Sequence, residues 1–415
     1  MDGMVFIIGN TVRPLGAPGV SDDADDVLTL VDADDTVCRP DKHLFRHKQY
    51  RILLTSSPKK NEDRKWLTQR VGDSQGMFMM MPWSREEFVV ASLFLQSNDI
   101  TLERLQEASC ICGNIPRECF VAAVSPRLSS AKDKIRNAID LTDNLSRAII
   151  NMKVGGETVI HRAFQIRPLY EDRLWNSCLV EPVSDWAFSE MMDVLDKRRA
   201  GSAYEFYCAI KGCHDGAALA GRTFENHLHK FLKTSSRTFT IESLDNRSAT
   251  LEIRFTSETK FFGDMKCFSG HLVLSVKSET SCYLQPLSPV FPSFDSFLYQ
   301  PEISQSGFSR LIALQATTAA DHAIKIKGLE DVQTSLKLKV PGMKHLRPTI
   351  KRNMIILFVV PDTLGVIFAK QTIEGAKQAI KDTKKGTKKE KEPLWYRKTA
   401  QYILALSEEE VFKAT

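Results

Sequence analysis

The sequence predicts an α/β protein built in more than one part. Three observations lead there. Two apolar, strand-like runs near the start, MVFIIG and YRILLTSSP, flank an acidic Gly/Pro/Asp-rich stretch; helical patterning runs from Trp83 to about Leu195; and from Gly201 a helix leads into a series of β-rich runs. At 415 residues the chain exceeds one typical domain, and about 150 residues per domain suggests two or three. The composition shifts divide it into residues 1–82, 83–200 and 201–415.

The first two runs fit part of a parallel sheet, because each is a short apolar stretch bounded by turn residues. The excursion between them, GAPGVSDDADDVLTLVDADD, lacks the glycine and terminal glutamate spacing of a calcium loop and is expected to be disordered. SREEFVVASLFLQ opens with Ser84 and, three residues on, Glu87, the reciprocal capping box that starts a helix. TLERLQEASCICG repeats the device with Thr101, and SSAKDKIRNAIDLTDNLSRAII is expected as a third helix, so the segment reads as a helical lid or winged-helix-like region.

In the last part, GAALAGRTFENHLHKFLKTSS has an apolar helical stripe of Phe224, Leu228, Phe231 and Leu232, with Glu225 at its edge. RTFTIESL, ATLEIRFT, HLVLSVKS, CYLQPLSPVFPSFDSFLY and SRLIALQATTA follow as β-rich runs. A helix around IKGLEDVQTSLKL, the buried strand NMIILFVVP and a final helix from about 370 complete the series. Helix, antiparallel strands, helix and strand give the αβββαβ order of restriction-endonuclease-like cores.

Composition narrows the function classes. The longest apolar stretches fall far short of about 20 residues, so no membrane span is expected, and the opening MDGMVFIIGN lacks the basic flank and cleavage site of a secretory signal. Nine scattered cysteines, without paired C-x-x-C spacing, fit reduced intracellular thiols rather than a zinc site. His43 and His47 have helical metal-ligand spacing but sit in a polar connector and are read as solvated. The net charge of +5 is uneven, with eight Asp against one Arg in residues 1–35 and nine Lys or Arg against three acids in residues 377–398. Lys384, Lys385, Lys388 and Lys389 in that basic run attract polyphosphate by counterion release, which points to nucleic acid, DNA above all, as the partner. Trp395 and Tyr396 beside it either stack on bases or pin the following helix.

One pattern carries chemistry. VFPSFDSFLYQPE and SRLIALQATTAADHAIKIKGL set Asp295 at the end of one apolar run and Gln315 inside the next, with Lys325 just beyond. Phosphodiester hydrolysis needs a divalent cation to stabilise developing charge and supply hydroxide, and magnesium takes one or two carboxylates with an amide or backbone oxygen. Asp295 is the principal ligand on this reading, Gln315 offers its side-chain carbonyl, and Glu225 adds a second acid. Lys325 orients the attacking water or neutralises the phosphate, with Lys327 as runner-up.

Both parts of the chain resemble Crinkler effectors and the related retrotransposon hot-spot proteins. ILLTSSPKKNEDRKWLTQ, MFMMMPWSREEF and ICGNIPRECF are similar to the sensor strand, lid opening and GGIPRxxF element of their P-loop ATPase module. FPSFDSFL, LQATTAADHAIK and ILFVVP are similar to their C-terminal pattern, over roughly residues 222–370. The resemblance implies a PD-(D/E)xK-type nuclease domain and points to Glu225, Asp295, Gln315, Thr317, His322 and Lys325. Gln315 stands where the superfamily usually has glutamate, Thr317 at the usual lysine position and Ala323 where a proline is common. A G-x-x-x-x-G-K-[ST] phosphate loop does not occur in these 415 residues, and VFIIGN has Gly9 where an aspartate is expected, so the ATPase part reads as an inactive remnant. Ser56, Ser57 and Arg117 match sensor positions.

Two functions follow as expectations: a magnesium-dependent nuclease acting on nucleic acid, or a non-catalytic effector that keeps the fold and binds nucleic acid through basic surfaces. The resemblance implies intracellular action, and the lysine run 384–391 resembles a nuclear address.

Overall fold

The computed structural model describes four strands within residues 1–56 and, with short gaps, residues 81–375 and 394–413. The chain is α/β and divides into two compact units, Met1–Ser184 and Asp185–Thr415. His43, His47, Ser57, Lys384, Lys385, Lys388 and Lys389 lie outside the described residues.

In the first unit, β1 (Val5–Ile8) pairs antiparallel with β2 (Thr11–Pro14), and β3 (Val27–Ala33) pairs parallel with β4 (Tyr50–Ser56). Two expectations are corrected here. The acidic excursion contains a strand, because VLTLVDA is a β-favouring apolar run that the flanking aspartates mask in any composition average. The parallel partner of β4 is β3, not the VFII strand, with Asp32 opposite Thr55 near the end of β3.

Helix α1 (Arg85–Phe94) starts on a closed capping box: the Ser84 N–H donates to Glu87 Oε2 at 2.6 Å and the Glu87 N–H to Ser84 Oγ at 3.2 Å. Helix α2 (Leu102–Cys112) is capped by Thr101, which accepts from the Arg104 N–H at 3.3 Å. Gly113 ends it at φ 69°, packed so closely on the Val183 carbonyl that a Cβ would collide. Helix α3 (Pro116–Ala123) follows, and Trp83, Phe88 and Phe120 meet edge-on at 5.4 and 6.1 Å, joining the PWSREEF and IPRECF segments. The expected third helix is two, α4 (Arg127–Asp140) and α5 (Leu145–Ile150), because Asn144 caps a fresh start by accepting from the Arg147 N–H at 2.9 Å. The hairpin β5 (Phe164–Pro168) and β6 (Cys178–Pro182) completes the unit.

The second unit opens with α6 (Asp185–Arg198), α7 (Ser202–Lys211) and α8 (Ala217–Thr234). The expected stripe on α8 is buried throughout, Phe224, Leu228, Phe231 and Leu232 alike. Next come β7 (Thr238–Ser243), β8 (Thr250–Arg254), β9 (Thr259–Phe262), α9 (Met265–Ser278), β10 (Cys282–Pro286), β11 (Ser296–Tyr299) and β12 (Phe308–Ala316). The chain continues through β13 (Ile324–Lys325), α10 (Ile326–Ser335), β14 (Asn353–Pro361), α11 (Asp362–Gly365), β15 (Ile373–Glu374), α12 (Leu394–Lys398), β16 (Thr399–Leu406) and α13 (Glu408–Lys413).

Eight strands form one mixed sheet in the order β8-β7-β16-β14-β12-β11-β10-β9. Its centre, β12, β14 and β16, is parallel, and the strands are buried along almost their whole length because both faces are covered. On one face, alternate residues Phe297, Tyr299, Ala313, Ile356 and Phe358 pack with Phe268 and Leu272 of α9 and Leu329 and Val332 of α10.

Two further expectations are corrected. HLVLSVKS belongs to α9, whose buried Phe268, Leu272 and Ser275 recur at helical spacing behind an Asp264 cap that accepts the Cys267 N–H at 2.7 Å. TAQYILAL is β16, an interior strand where a final helix was expected. Trp395 and Tyr396 hold α12 in place: Trp395 is buried in the core and the Tyr396 hydroxyl accepts the Ile373 N–H at 2.8 Å. Among the described residues no helix is long and apolar enough to cross a membrane.

Candidate functional site

The candidate site is a cleft of about 240 Å³ in the second unit. Its walls come from α6 (Asp185, Phe188), α8 (Arg222, Glu225, Asn226, His229), the end of β10 (Gln285, Pro286) and the turn into β11 (Phe291, Phe294, Asp295). Two carboxylates expected as ligands, Glu225 and Asp295, therefore face one cleft from different elements.

Asp295 is fixed by backbone. Its N–H donates to the Leu314 carbonyl at 3.0 Å and its Oδ2 accepts the Ala316 N–H at 2.7 Å, so it brackets Gln315 on the neighbouring strand. Burial, reinforced by the Glu225 charge, pushes the Asp295 carboxyl well above the usual carboxylate range. Two residues earlier, Ser293 adopts φ 68°, and its Oγ accepts the Lys325 N–H at 2.8 Å. The turn carrying Asp295 is thus bonded to the segment carrying Lys325.

Glu225 is set by α8, and α8 is braced against α6. Asp196 accepts from His227 at 3.2 Å and from Lys230 at 2.6 Å. Burial alone would raise the Asp196 carboxyl, but these two partners outweigh it and hold it at about 2. One turn beyond Glu225, His229 Nε2 lies 3.5 Å from Glu225 Oε1. The far side of the His229 ring meets the Tyr283 hydroxyl at 2.6 Å, which meets Ser296 Oγ at 2.7 Å.

Gln315, Thr317, His322 and Lys325 do not line the cleft. Strand alternation puts Gln315 on the face of Ala313, where it is 2 % exposed and its Oε1 has no hydrogen-bond partner. Thr317 is buried and shapes a turn, accepting the Ala319 N–H at 3.0 Å and meeting His322 Nδ1 at 3.2 Å. The His322 segment is anchored in the core, since its N–H donates to Gln371 Oε1 at 2.6 Å while Gln371 and Gln401 exchange two further bonds. Burial, then the Lys325 ammonium, lowers the His322 imidazole below its usual range. Lys325 is exposed. The runner-up Lys327 pairs with Asp331 at 2.6 Å on the exposed side of α10, which directs it elsewhere.

The two carboxylates that line the cleft suit a hard cation, while the buried Gln315 amide oxygen, without a hydrogen-bond partner, is not among the lining groups. The donor set is lean, for among the described residues no three His, Cys, Asp or Glu gather as a metal group. In the first unit, Arg117 is exposed, and burial pushes the Cys112 thiol up to about 11 and Cys119 to about 12, as unligated thiols. Sequence reasoning missed Arg222, Asn226, His229 and Tyr283. The Glu225-x-x-x-His229 spacing, one helical turn, was the signal that could have found His229. No protein-family model, curated protein or solved structure matches the chain.

Proposed function

We propose that the second unit is a magnesium-dependent nuclease domain of Crinkler and retrotransposon hot-spot type, with a PD-(D/E)xK-like core that hydrolyses nucleic-acid phosphodiester bonds. The observation that carries this reading is the convergence of Asp295 and Glu225 on one cleft.

A magnesium ion, when bound, would stabilise the charge developing on the phosphate and lower the pKa of a bound water. Asp295 and Glu225, the two carboxylates that line the cleft, would hold it. The chain's own part is to fix and to screen. Ala316 holds the Asp295 carboxylate through its N–H, and Lys325, tied to the same turn through Ser293, neutralises phosphate charge. Phe188 and Phe291 offer apolar walls that limit water. Arg222, stacked 3.9 Å over Phe188 and bonded to Asp185 at 2.7 Å, stands at the cleft as a cation for the nucleic-acid backbone.

A second reading, a nucleic-acid-binding effector without turnover, draws on the lean donor set, since among the described residues no third His, Cys, Asp or Glu joins the two carboxylates as a metal group. Cleavage of a DNA duplex by the full chain, compared in magnesium and in EDTA, separates the two. Magnesium-dependent cleavage that Asp295→Ala abolishes upholds the nuclease; salt-sensitive binding without cleavage upholds the effector. Nucleotide hydrolysis by the first unit is not part of the proposal, since no phosphate loop occurs in the sequence.

A further inference from the structure

A set of cations lies at the far end of the sheet from the cleft. Between Asp331 and Asp362 the chain carries six Lys or Arg, one His and no acid. The parallel strands bring part of that set together with cations from elsewhere: Phe308 lies opposite Asn353 and Met354 opposite Thr399, so the starts of β12, β14 and β16 share one edge. Arg310 stands near the start of β12, Lys351 and Arg352 lead into β14, and Arg397 and Lys398 lead into β16. Asp295 bonds to the other end of β12, at Leu314 and Ala316. From Arg310 to Ala316 the strand runs about 20 Å, at about 3.3 Å per residue.

The loop that carries Lys344, Lys351 and Arg352 is fixed by its own bonds. Arg352 exchanges backbone bonds with Thr349 at 2.8 and 3.1 Å, its Nη1 donates to the Lys344 carbonyl at 2.9 Å, and Ser309 Oγ, at the start of β12, donates to the Leu346 carbonyl at 2.8 Å. The cations are therefore held close in spite of their repulsion. Burial, then the charges of Arg352, Lys344 and Arg310, lowers the His345 imidazole from its usual value, so three cations act on one ring. Elsewhere in the unit Lys211, Lys230 and Lys413 each meet a carboxylate, at 2.6, 2.6 and 2.5 Å. Among the described residues Arg310, Lys344, Lys351, Arg352, Arg397 and Lys398 meet none. Like charges gathered without counter-charges leave a positive field at this edge, which suits a polyanion. A nucleic-acid backbone fits it, since each strand offers one charge per about 3.4 Å, on the scale of the about 4.8 Å between neighbouring β-strands. The exposed apolar side chains here, Ile350 and Leu394, are single residues and not the apolar helix face that seats in a membrane.

We infer that this edge of the sheet binds the phosphate backbone of nucleic acid, at a site separate from the cleft. The inference rests on the proposed function for the class of partner alone, and it holds whether or not the cleft cleaves.

The test titrates a labelled DNA duplex with the full chain in EDTA, where no magnesium-dependent cleavage intervenes, between about 50 and 200 mM salt. Lys344→Gln and Lys351→Gln remove exposed ammonium groups that bond no other described residue, so the loop keeps its bonds. Each should weaken binding several-fold and lower the slope of log affinity against log salt by about 0.9, and adding Arg352→Gln to the pair should bring the loss to about tenfold or more. Lys413→Gln, on α13 beyond the far end of β16 and with its ammonium on Glu409, should bind as the parent does. Unchanged affinity and slope in the Lys344–Lys351 double variant overturn the site, as does an equal loss in Lys413→Gln or a parent chain that binds no duplex. If the double variant loses binding to phosphatidylserine vesicles and keeps its grip on the duplex, the edge belongs to lipid and the inference is also overturned. Absence of cleavage in magnesium sinks the nuclease reading alone, because the titration in EDTA still decides the edge.

Discussion

Asp295 and Glu225 are two acids on one cleft, held in different ways. Asp295 sits in a turn whose backbone bonds on both sides of Gln315, so its position does not depend on its charge. Glu225 projects from a helix toward a histidine, and its position follows from side-chain neighbours. The difference teaches that a buried carboxylate of raised pKa can be fixed by a backbone N–H, while its partner on the helix is placed through side-chain contact.

The largest expected effect breaks the comparison outright. Asp295→Ala should reduce magnesium-dependent cleavage more than about a hundredfold, beyond the 10–100-fold typical of residues that only support a metal ligand. Glu225→Gln, which keeps an oxygen and the volume, should cost about tenfold, read as weaker magnesium affinity by calorimetry as well as slower cleavage. Equal losses from both would show that the two acids share the work evenly.

Two aspartates of opposite shift sharpen the same contrast through pH. Asp196 is held at about 2, below its unfolded value, so its stabilisation is present above about pH 4 and fades as pH falls toward 2. Asp196→Asn should therefore cost about 1–2 kcal/mol in urea unfolding at neutral pH, with allowance for its partial exposure, and nothing near pH 2. The Asp295 carboxyl is raised, so its protonated form favours the folded state at low pH and that contribution is lost as pH climbs through the raised value. In EDTA, Asp295→Asn should unfold at a higher temperature than the parent at neutral pH, and magnesium should raise the parent's melting temperature more than the variant's.

Much of the fold was legible where local chemistry and tertiary burial agree. The Ser84–Glu87 box, the Thr101 cap and the Phe224–Leu228–Phe231–Leu232 stripe each carry their own geometric signal. HLVLSVKS was not legible as helix, since alternating Leu and Val mimic a strand and only the Asp264 cap upstream decides. The site was half legible. Asp295 and Glu225 were in view as acids near apolar runs, but the face on which Gln315 lies depends on pairing register, and His229 depends on Tyr283, 54 residues away.

The position of β16 has a consequence for how the protein is made. Among the strands of the large sheet it is the last to be synthesised, yet it lies between β7 and β14, whose edges it joins. At about 5–20 residues per second, the ribosome holds those two edges apart for seconds after β14 has emerged, while residues 376–393 pass. Until β16 arrives, the sheet is a two-stranded and a five-stranded piece, each with an open edge where wrong pairing can start.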